Sequence, residues 1–327
     1  MTGKPIPEEV VQIASDIKNM RIRGAGRIAR AGALALRIAA EKYTGQNLDD
    51  FKEYIRIVAD YVVKTRPTAV SLPNAVSYVV SPLLRADSIR DVEEAKRMII
   101  ENAEKFMDYS ERAVERIAEI GSRLLRDGDT VLTHCNSQVV VSVIKAAVKQ
   151  GKSVEVIATE TRPLFQGHIT IKMLLDAGVD AVTLVPDSAV RSVIKDVDKV
   201  IVGADTVTAN GAVVNKVGTS LIALIARERG IDFYVATETY KFSPYTVWGE
   251  LVVIEERTPT EVLPEDVIAK NPYLKVFNPS FDVTPPYLVT AIITEIGLIP
   301  PQASLLVLEE LYGRGAIHDT IQTVEEE

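Results

Sequence analysis

From Pro7 to about residue 126 the apolar positions recur every three or four residues, the period of helices lying on a core. Val10, Ile13, Ile17 and Met20 form one stripe, and Pro7 with Glu8 and Glu9 suits a first helical turn. Asn47 stands where it would cap a helix whose Leu48, Phe51, Ile55, Val58 and Val62 share a face. Ser88, with Asp91 three residues on, opens a longer pattern through Val92, Ile99, Phe106, Val114 and Ile117 to Leu125. That run is long for a globular helix, so a kink or break is expected near Asp108, Tyr109 and Ser110. Residues 126–129, Arg-Asp-Gly-Asp, are a turn signal that closes the helical half.

After Thr130 the texture changes. Short runs rich in Val and Ile appear at residues 130–134, 154–157, 181–185, 200–202 and 233–235, most of them separated by helical patterns. A further run lies at residues 251–254. Near-continuous apolar strands alternating with helices predict a parallel sheet covered on both faces. The expected class is therefore α/β, with a helical domain at residues 1–126 and a domain with a mostly parallel sheet at residues 127–327. In such a sheet ligands bind outside the carboxyl ends of the strands. The residues to watch are then Cys135, residues 160–163 (Glu-Thr-Arg-Pro), Asp187 and Ser188, residues 203–205 (Gly-Ala-Asp), and residues 238–241 (Glu-Thr-Tyr-Lys).

Cys135 is the chain's single cysteine. It follows a strand and precedes Asn136 and Ser137, residues suited to cap the helix that starts near Val139. Backbone N–H groups and a helix dipole there would favour a thiolate; the alternative is a small buried hydrophobe. Asp205 ends a buried strand, where desolvation would raise its pKa and suit it to donate a proton; the alternative is a turn cap. Together they form a plausible acid/base pair that needs no histidine, with His134 expected to point away from Cys135. Asn210 and Gly211 signal a tight turn. Beyond it, Asn215, Lys216 and small residues lead into a helix, which supplies donors, a dipole and room for a phosphate, although the Walker spacing is absent. In the helical half, Arg23, Gly24, Ala25, Gly26 and Arg27 form a flexible basic turn whose amides could face an anion. A helix restarting at Gly26 would align Arg27, Arg30 and Arg37 as a solvated face, a subunit contact or a rim of positive potential. Arg66 adds a cation at a bend beside Pro67.

Composition narrows the ligand. The net charge of −8 argues against wholesale binding to nucleic acid or an anionic membrane, so an anionic ligand needs a local basic cluster. The three histidines lie far apart and beside no cysteine pair, which argues against zinc. No apolar run approaches a membrane span, the N-terminus has no hydrophobic signal core, and a lone cysteine suits a reducing cytoplasm.

Taken in order, several motifs resemble one superfamily. They are residues 23–26 (Arg-Gly-Ala-Gly), 65–70 (Thr-Arg-Pro-Thr-Ala-Val), 133–137 (Thr-His-Cys-Asn-Ser), 160–163, 203–205, 215–219 (Asn-Lys-Val-Gly-Thr), 238–242 (Glu-Thr-Tyr-Lys-Phe) and 278–285 (Asn-Pro-Ser-Phe-Asp-Val-Thr-Pro). The superfamily joins sugar-1-phosphate isomerases to the regulatory subunits of the eukaryotic initiation-factor-2 nucleotide exchange factor. Within it the chain resembles the archaeal ribose-1,5-bisphosphate isomerases across nearly its whole length. The resemblance implies a Rossmann-like second domain. It also implies conversion of ribose 1,5-bisphosphate to ribulose 1,5-bisphosphate in archaeal AMP breakdown, ahead of RuBisCO, with no metal or other cofactor. By the same resemblance Cys135 is the proton acceptor and Asp205 the proton donor. Substrate contacts fall on Arg23, Gly24, Ala25, Gly26, Arg66, Asn136, Ser137, Gln138, Asn215, Lys216 and Lys241. A homohexamer, as a trimer of dimers, and activation by AMP are implied too. Two rival readings remain. A 5-methylthioribose-1-phosphate isomerase would want an apolar pocket, whereas Lys241 between Tyr240 and Phe242 favours a second phosphate. The regulatory subunits share Asn-Lys-x-Gly-Thr but generally carry glutamate after Gly-Ala, where this chain has Asp205.

Overall fold

The computed structural model describes residues 5–66, 69–86, 89–244 and 252–312. The chain divides into two compact units, Met1–Arg112 and Ala113–Glu327. The first contains α1 (Glu8–Lys18), α2 (Ala25–Lys42), α3 (Leu48–Val63), α4 (Ser71–Arg85) and the first part of α5 (Val92–Ser122). In α1 the buried face is Val10, Ala14 and Ile17; Ile13 of the expected stripe is half-buried, and Met20 lies beyond the helix with a positive φ. Asn47 caps α3 by accepting the N–H of Asp50, and the expected apolar face is buried at Phe51, Ile55, Val58 and Val62.

At α5 the capping oxygen comes from Asp91, which accepts the N–H of Glu94 at 2.8 Å; Ser88 lies outside the described residues. The expected break near Ser110 does not occur, and α5 is continuous from Val92 to Ser122. Ser110 is fully buried and accepts a hydrogen bond from Arg30 Nη1 at 3.0 Å, so it faces a partner instead of interrupting the helix. Arg37 pairs with Glu41 at 2.8 Å and Glu104 at 3.6 Å. The arginine stripe of α2 is thus largely neutralised inside its own unit.

The expected domain boundary at residue 126 falls after the observed division, because the last turns of α5 pack with the second unit. Ile117 shares a core there with Val131, Val143 and Ile144. This unit runs β1 (Thr130–Thr133), α6 (Gln138–Lys149), β2 (Glu155–Thr159), α7 (Gln166–Asp176), β3 (Val182–Val185), α8 (Val190–Val193), β4 (Lys199–Val202), β5 (Thr206–Val207), β6 (Val213–Lys216), α9 (Thr219–Arg229) and β7 (Asp232–Ala236). It continues through α10 (Glu265–Lys270), β8 (Phe281–Thr284), β9 (Ala291–Thr294), β10 (Gly297–Ile299) and α11 (Ser304–Tyr312). Seven strands form one sheet in the order β10-β9-β7-β4-β1-β2-β3, parallel except for β10. Successive residues face opposite cores. Val131, Ile201 and Tyr234 meet α5, α6 and α7, whereas Leu132, Val200, Val202 and Val235 meet α8, α9 and α11. Burial on both faces is why these strands read as unbroken apolar runs.

Two expectations fail in the last third. Residues 252–254 form no strand, and Leu251 lies outside the described residues. Pairing there goes instead to β9 and β10, and to a separate antiparallel sheet β5-β6-β8. The Asn210-Gly211 turn joins β5 to β6 as expected, with Thr208 N–H donating to Ala212 O at 2.9 Å.

Truncating Ile117 should open a cavity where α5 meets the sheet. Ile117→Ala is expected to lower the unfolding free energy by about 2–5 kcal/mol, while exposed Asp108→Ala changes it by no more than about 0.5 kcal/mol. Urea unfolding of both variants checks this.

Candidate active site

The chain passes from β1 to β2 to β3 and then returns to β4 on the far side of β1. Such a reversal leaves a crevice at the carboxyl ends of the two strands. Registered pairing of β1 with β4 ends at Leu132–Val200, while β1–β2 continues to Thr133–Ala158 and β4–β7 to Val202–Val235. The sheet therefore parts where Cys135 follows β1 and Asp205 follows β4. Gly203 lets the β4 exit pass close to the start of α6, since a Cβ there would lie 2.7 Å from Ser137 Oγ. Ser137 itself caps α6 by accepting the N–H of Val140. Asp205 is half-buried and tied to β6 through its own N–H, which donates to Val214 O at 2.9 Å.

Cys135 is half-buried and adopts φ +66. Burial pushes its thiol up to about 11; the Lys216 charge and the Asn136 N–H pull it down, and the charges of Asp205 and Asp187 push it further up. The expected thiolate is thus not the resting form near neutral pH, because desolvation outweighs the helix terminus and the cation. Asp205, Lys216 and Asp187 thus all act electrostatically on one sulfur.

His134 is buried and committed at both ring nitrogens. Its Nε2 meets Val217 O at 2.9 Å and its Nδ1 meets Thr159 Oγ1. A carbonyl can only accept, so Nε2 carries the proton and Nδ1 accepts from the threonine. Burial holds the ring below its ordinary 6.5, helped by Lys216 and opposed by the Val217 carbonyl and Asp187. His134 is a neutral strut between β2 and the loop before α9.

In that loop two of the amides that the sequence offered to a phosphate already have a side-chain acceptor. The N-terminus of α9 is taken by Asp282, whose carboxylate accepts the N–H groups of Gly218 at 2.7 Å and Ser220 at 3.2 Å. A side chain from β8 supplies the anion that the dipole and the free amides demand. Burial pushes Asp282 up from 3.8 to about 6, against the pull of those two amides. Asn215 is buried and donates to Thr219 Oγ1 at 3.0 Å. Lys216 stays half-exposed, with its ammonium over the Phe281 ring at 4.8 Å. Of this motif, Lys216 is the group whose charge reaches Cys135.

Lys241 is also buried and its charge is matched. It lies 2.7 Å from the Glu238 carboxylate and donates to Ala204 O at 3.1 Å. Burial raises Glu238, but Lys241 and the Tyr240 hydroxyl outweigh it and hold the carboxyl below its usual range. Lys241, expected as a substrate contact, is thus already engaged by Glu238 and Ala204 O and braces the loop behind Asp205. Asn136 directs its amide toward Met173 in α7 at 3.7 Å, and Gln138 is exposed at the first turn of α6. Arg23, Gly24, Ala25, Gly26 and Arg66 belong to the helical unit. Arg23 is exposed and donates to Met20 O at 2.6 Å, Gly24 leads into α2 with φ +88, and Arg66 lies just after α3. α2 begins at Ala25, one residue before the expected restart.

Sequence reasoning placed residues 160–163 and Asp187 at strand ends but gave none of them a role, and it missed Thr170 and Asp282. Thr161 accepts the Cys135 N–H at 2.9 Å, Thr170 donates to Cys135 O at 2.7 Å, and Asp187 accepts the N–H groups of Thr161 and Arg162. The signal available beforehand was polarity at strand ends; the partners are set by strand order. Among the described residues no cluster of His, Cys, Asp and Glu could hold a metal ion, and no helix is long and apolar enough to cross a membrane.

Two outcomes are expected. Lys216→Ala removes the cation that lowers the thiol, so the Cys135 titration moves to higher pH and alkylation at pH 8 slows; a pH series with iodoacetamide reads this on the single cysteine. Asp282 keeps its proton longer in the folded state than in the unfolded chain, so its contribution makes stability fall as pH rises from 3.8 to about 6. Asp282→Asn should remove that component of the slope, as measured by urea unfolding between pH 4 and 7.

Residues 21–301 match the model of the initiation factor 2 subunit family. The ribose 1,5-bisphosphate isomerase of Archaeoglobus fulgidus is 51% identical over 95% of this chain and 96% of its own length. That of Thermococcus kodakarensis is 49% identical over 94% and 96%. Among solved structures, a Pyrococcus horikoshii OT3 protein described as translation initiation factor eIF-2B superposes with a TM-score of 0.78 at 32% identity, covering 91% of this chain and 99% of that one. With a family match across most of its length and half-identical relatives over nearly all of it, the chain belongs to the initiation factor 2 subunit family.

Proposed function

We propose that the chain is an aldose–ketose isomerase that converts ribose 1,5-bisphosphate to ribulose 1,5-bisphosphate. The observation that carries this reading is the placing of Cys135 and Asp205 at the parted ends of β1 and β4, with the Lys216 charge acting on the sulfur, in a chain half identical to isomerases of that name. The phosphate on the anomeric oxygen prevents the ring from opening as a free sugar does. The Asp205 acid protonates the ring oxygen, and the bond from C1 to that oxygen breaks. The Cys135 thiolate takes the proton from C2, leaving a phosphorylated enol. The Asp205 carboxylate then accepts the enol hydroxyl proton as the C2 carbonyl forms, and the Cys135 thiol returns a proton to C1. Both groups end as they began, and no external electron carrier enters the balance.

The reacting form is thiolate with carboxylic acid. It carries the same net charge as thiol with carboxylate, so a proton need only move within the pair. Lys216 favours the thiolate side of that exchange. Asn136, Ser137, Gln138, Asn215, Lys216 and Lys241 are the proposed substrate contacts, with Arg23, Gly24, Ala25, Gly26 and Arg66 as further phosphate contacts. In this reading catalysis belongs to the sheet domain, the enzyme is cytoplasmic and acts in archaeal AMP breakdown, AMP activates it, and it assembles as a homohexamer. Exposed Leu221 and Leu224 on one face of α9, and Leu305 and Leu306 on α11, support self-association.

Purified protein incubated with ribose 1,5-bisphosphate should yield ribulose 1,5-bisphosphate, faster with AMP present. Cys135→Ser and Asp205→Asn should each lower kcat by about 10²- to 10⁴-fold. Turnover of methylthioribose 1-phosphate alone would defeat the substrate assignment, and full activity in either variant would defeat the acid/base roles.

A further inference from the structure

Cys135 and Thr161 both hold left-handed backbone, with φ +66 and φ +61. For a branched residue such as Thr161 this conformation is strained and persists only where surrounding contacts over-determine it. Here those contacts form a chain across three neighbouring strand ends. Asp187, just after β3, accepts the N–H of Thr161 at 2.9 Å and that of Arg162 at 2.7 Å. Thr161, after β2 and fully buried, accepts the Cys135 N–H and donates to Thr159 O at 3.3 Å. Thr170, buried in α7, donates to Cys135 O. The N–H and the carbonyl of the thiol-bearing residue are therefore each held by a threonine hydroxyl. Neither hydroxyl is aimed at the sulfur, so their action on the thiol is through the backbone alone.

We infer that Thr161, Thr170 and Asp187 are positioning residues that fix the Cys135 thiol in its reactive orientation; the inference rests on the isomerase reading above. The geometry explains the need. The thiol must face Asp205 across the parted strands while keeping the Asn136 N–H and the Lys216 ammonium close enough to stabilise the thiolate. Rotation of the Cys135 backbone out of the left-handed region would carry the sulfur away from all three.

The test uses the full-length chain, with steady-state kinetics on ribose 1,5-bisphosphate and iodoacetamide alkylation from pH 6 to 11. The only cysteine is Cys135, so alkylation reads that thiol alone. Thr161→Val keeps the branched shape and removes the acceptor. It should lower kcat by about 10- to 100-fold, the scale of a small misplacement of a reacting group, with KM changed less than about twofold. Its alkylation curve should move to higher pH as the thiolate loses the Asn136 N–H and Lys216. Thr161→Ser should restore most of the activity, and Thr170→Val should show a loss in the same direction. Asp187→Asn separates charge from position. Losing a carboxylate whose charge, with that of Asp205 and against that of Lys216, acts on the thiol moves alkylation to lower pH, yet kcat should still fall because one N–H of the loop loses its acceptor.

Wild-type kcat and alkylation in Thr161→Val would overturn the inference. So would a folded Thr161→Ser as impaired as the valine variant, or an Asp187→Asn protein whose kcat rises with its thiolate fraction. If thermal melting shows Thr161→Val to be unfolded, Thr170→Val and Asp187→Asn decide by the same criteria. A wild-type protein that does not turn over the bisphosphate would defeat the isomerase reading alone, since the alkylation curves would still show whether these residues set the thiol.

Discussion

The reversal of strand order between β1 and β4 is the constraint on which the second unit depends. A parallel sheet wound outward in both directions must part where the direction changes, and the backbone groups at that parting need partners from side chains. Here the gap is narrow, because Gly203 lets the β4 exit pass against Ser137 at the cap of α6. On one side the strand ends are linked through Thr161 and Asp187; on the other, Lys241 and Glu238 join β7 to the carbonyl of Ala204. The parting thus lies between two braced edges, and Cys135 and Asp205 follow the strands on either side of it.

The electrostatics follow from that burial. Polar groups around the strand ends are satisfied locally: Lys241 by Glu238, the α9 terminus by Asp282, and the neutral His134 ring by a carbonyl and a hydroxyl. Lys216 stands apart because it remains half-exposed against Phe281 while still acting on Cys135. A buried thiol with a pKa near 11 is inert unless the proton can leave for a nearby base. In the proposed isomerase Asp205 is that base, and the two groups then titrate as a coupled pair.

Much of the architecture was legible in the chain. Helical periodicity located α1 and α3, and apolar runs located β1, β2, β3, β4 and β7; β1, β2, β4 and β7 are buried on both faces, whereas β3 at the sheet edge leaves Leu184 exposed. The misreadings have local causes. The length of the helical pattern suggests a break near Ser110, whereas Ser110 is satisfied inside the helix by Arg30, 80 residues away in the chain. Residues 252–254 looked like a strand because their composition is apolar, yet the available edge of β7 is taken by β9. The segment before α9 looked like a phosphate seat because a glycine, small residues and a helix start are visible locally, whereas Asp282 arrives from β8.

What the sequence determined by itself is the alternation of strand and helix, the α/β class, and the placing of Cys135 and Asp205 just after apolar strands. Those features are local, set by the hydrophobic period and by the few residues that end an element. Only the tertiary structure decided that β1 and β4 are neighbours across a reversal, that the thiol is held protonated, and that Thr161, Thr170 and Asp187 fix its backbone. Strand order, desolvation and long-range hydrogen bonds depend on segments far apart in the chain, and no local pattern encodes which of them will meet.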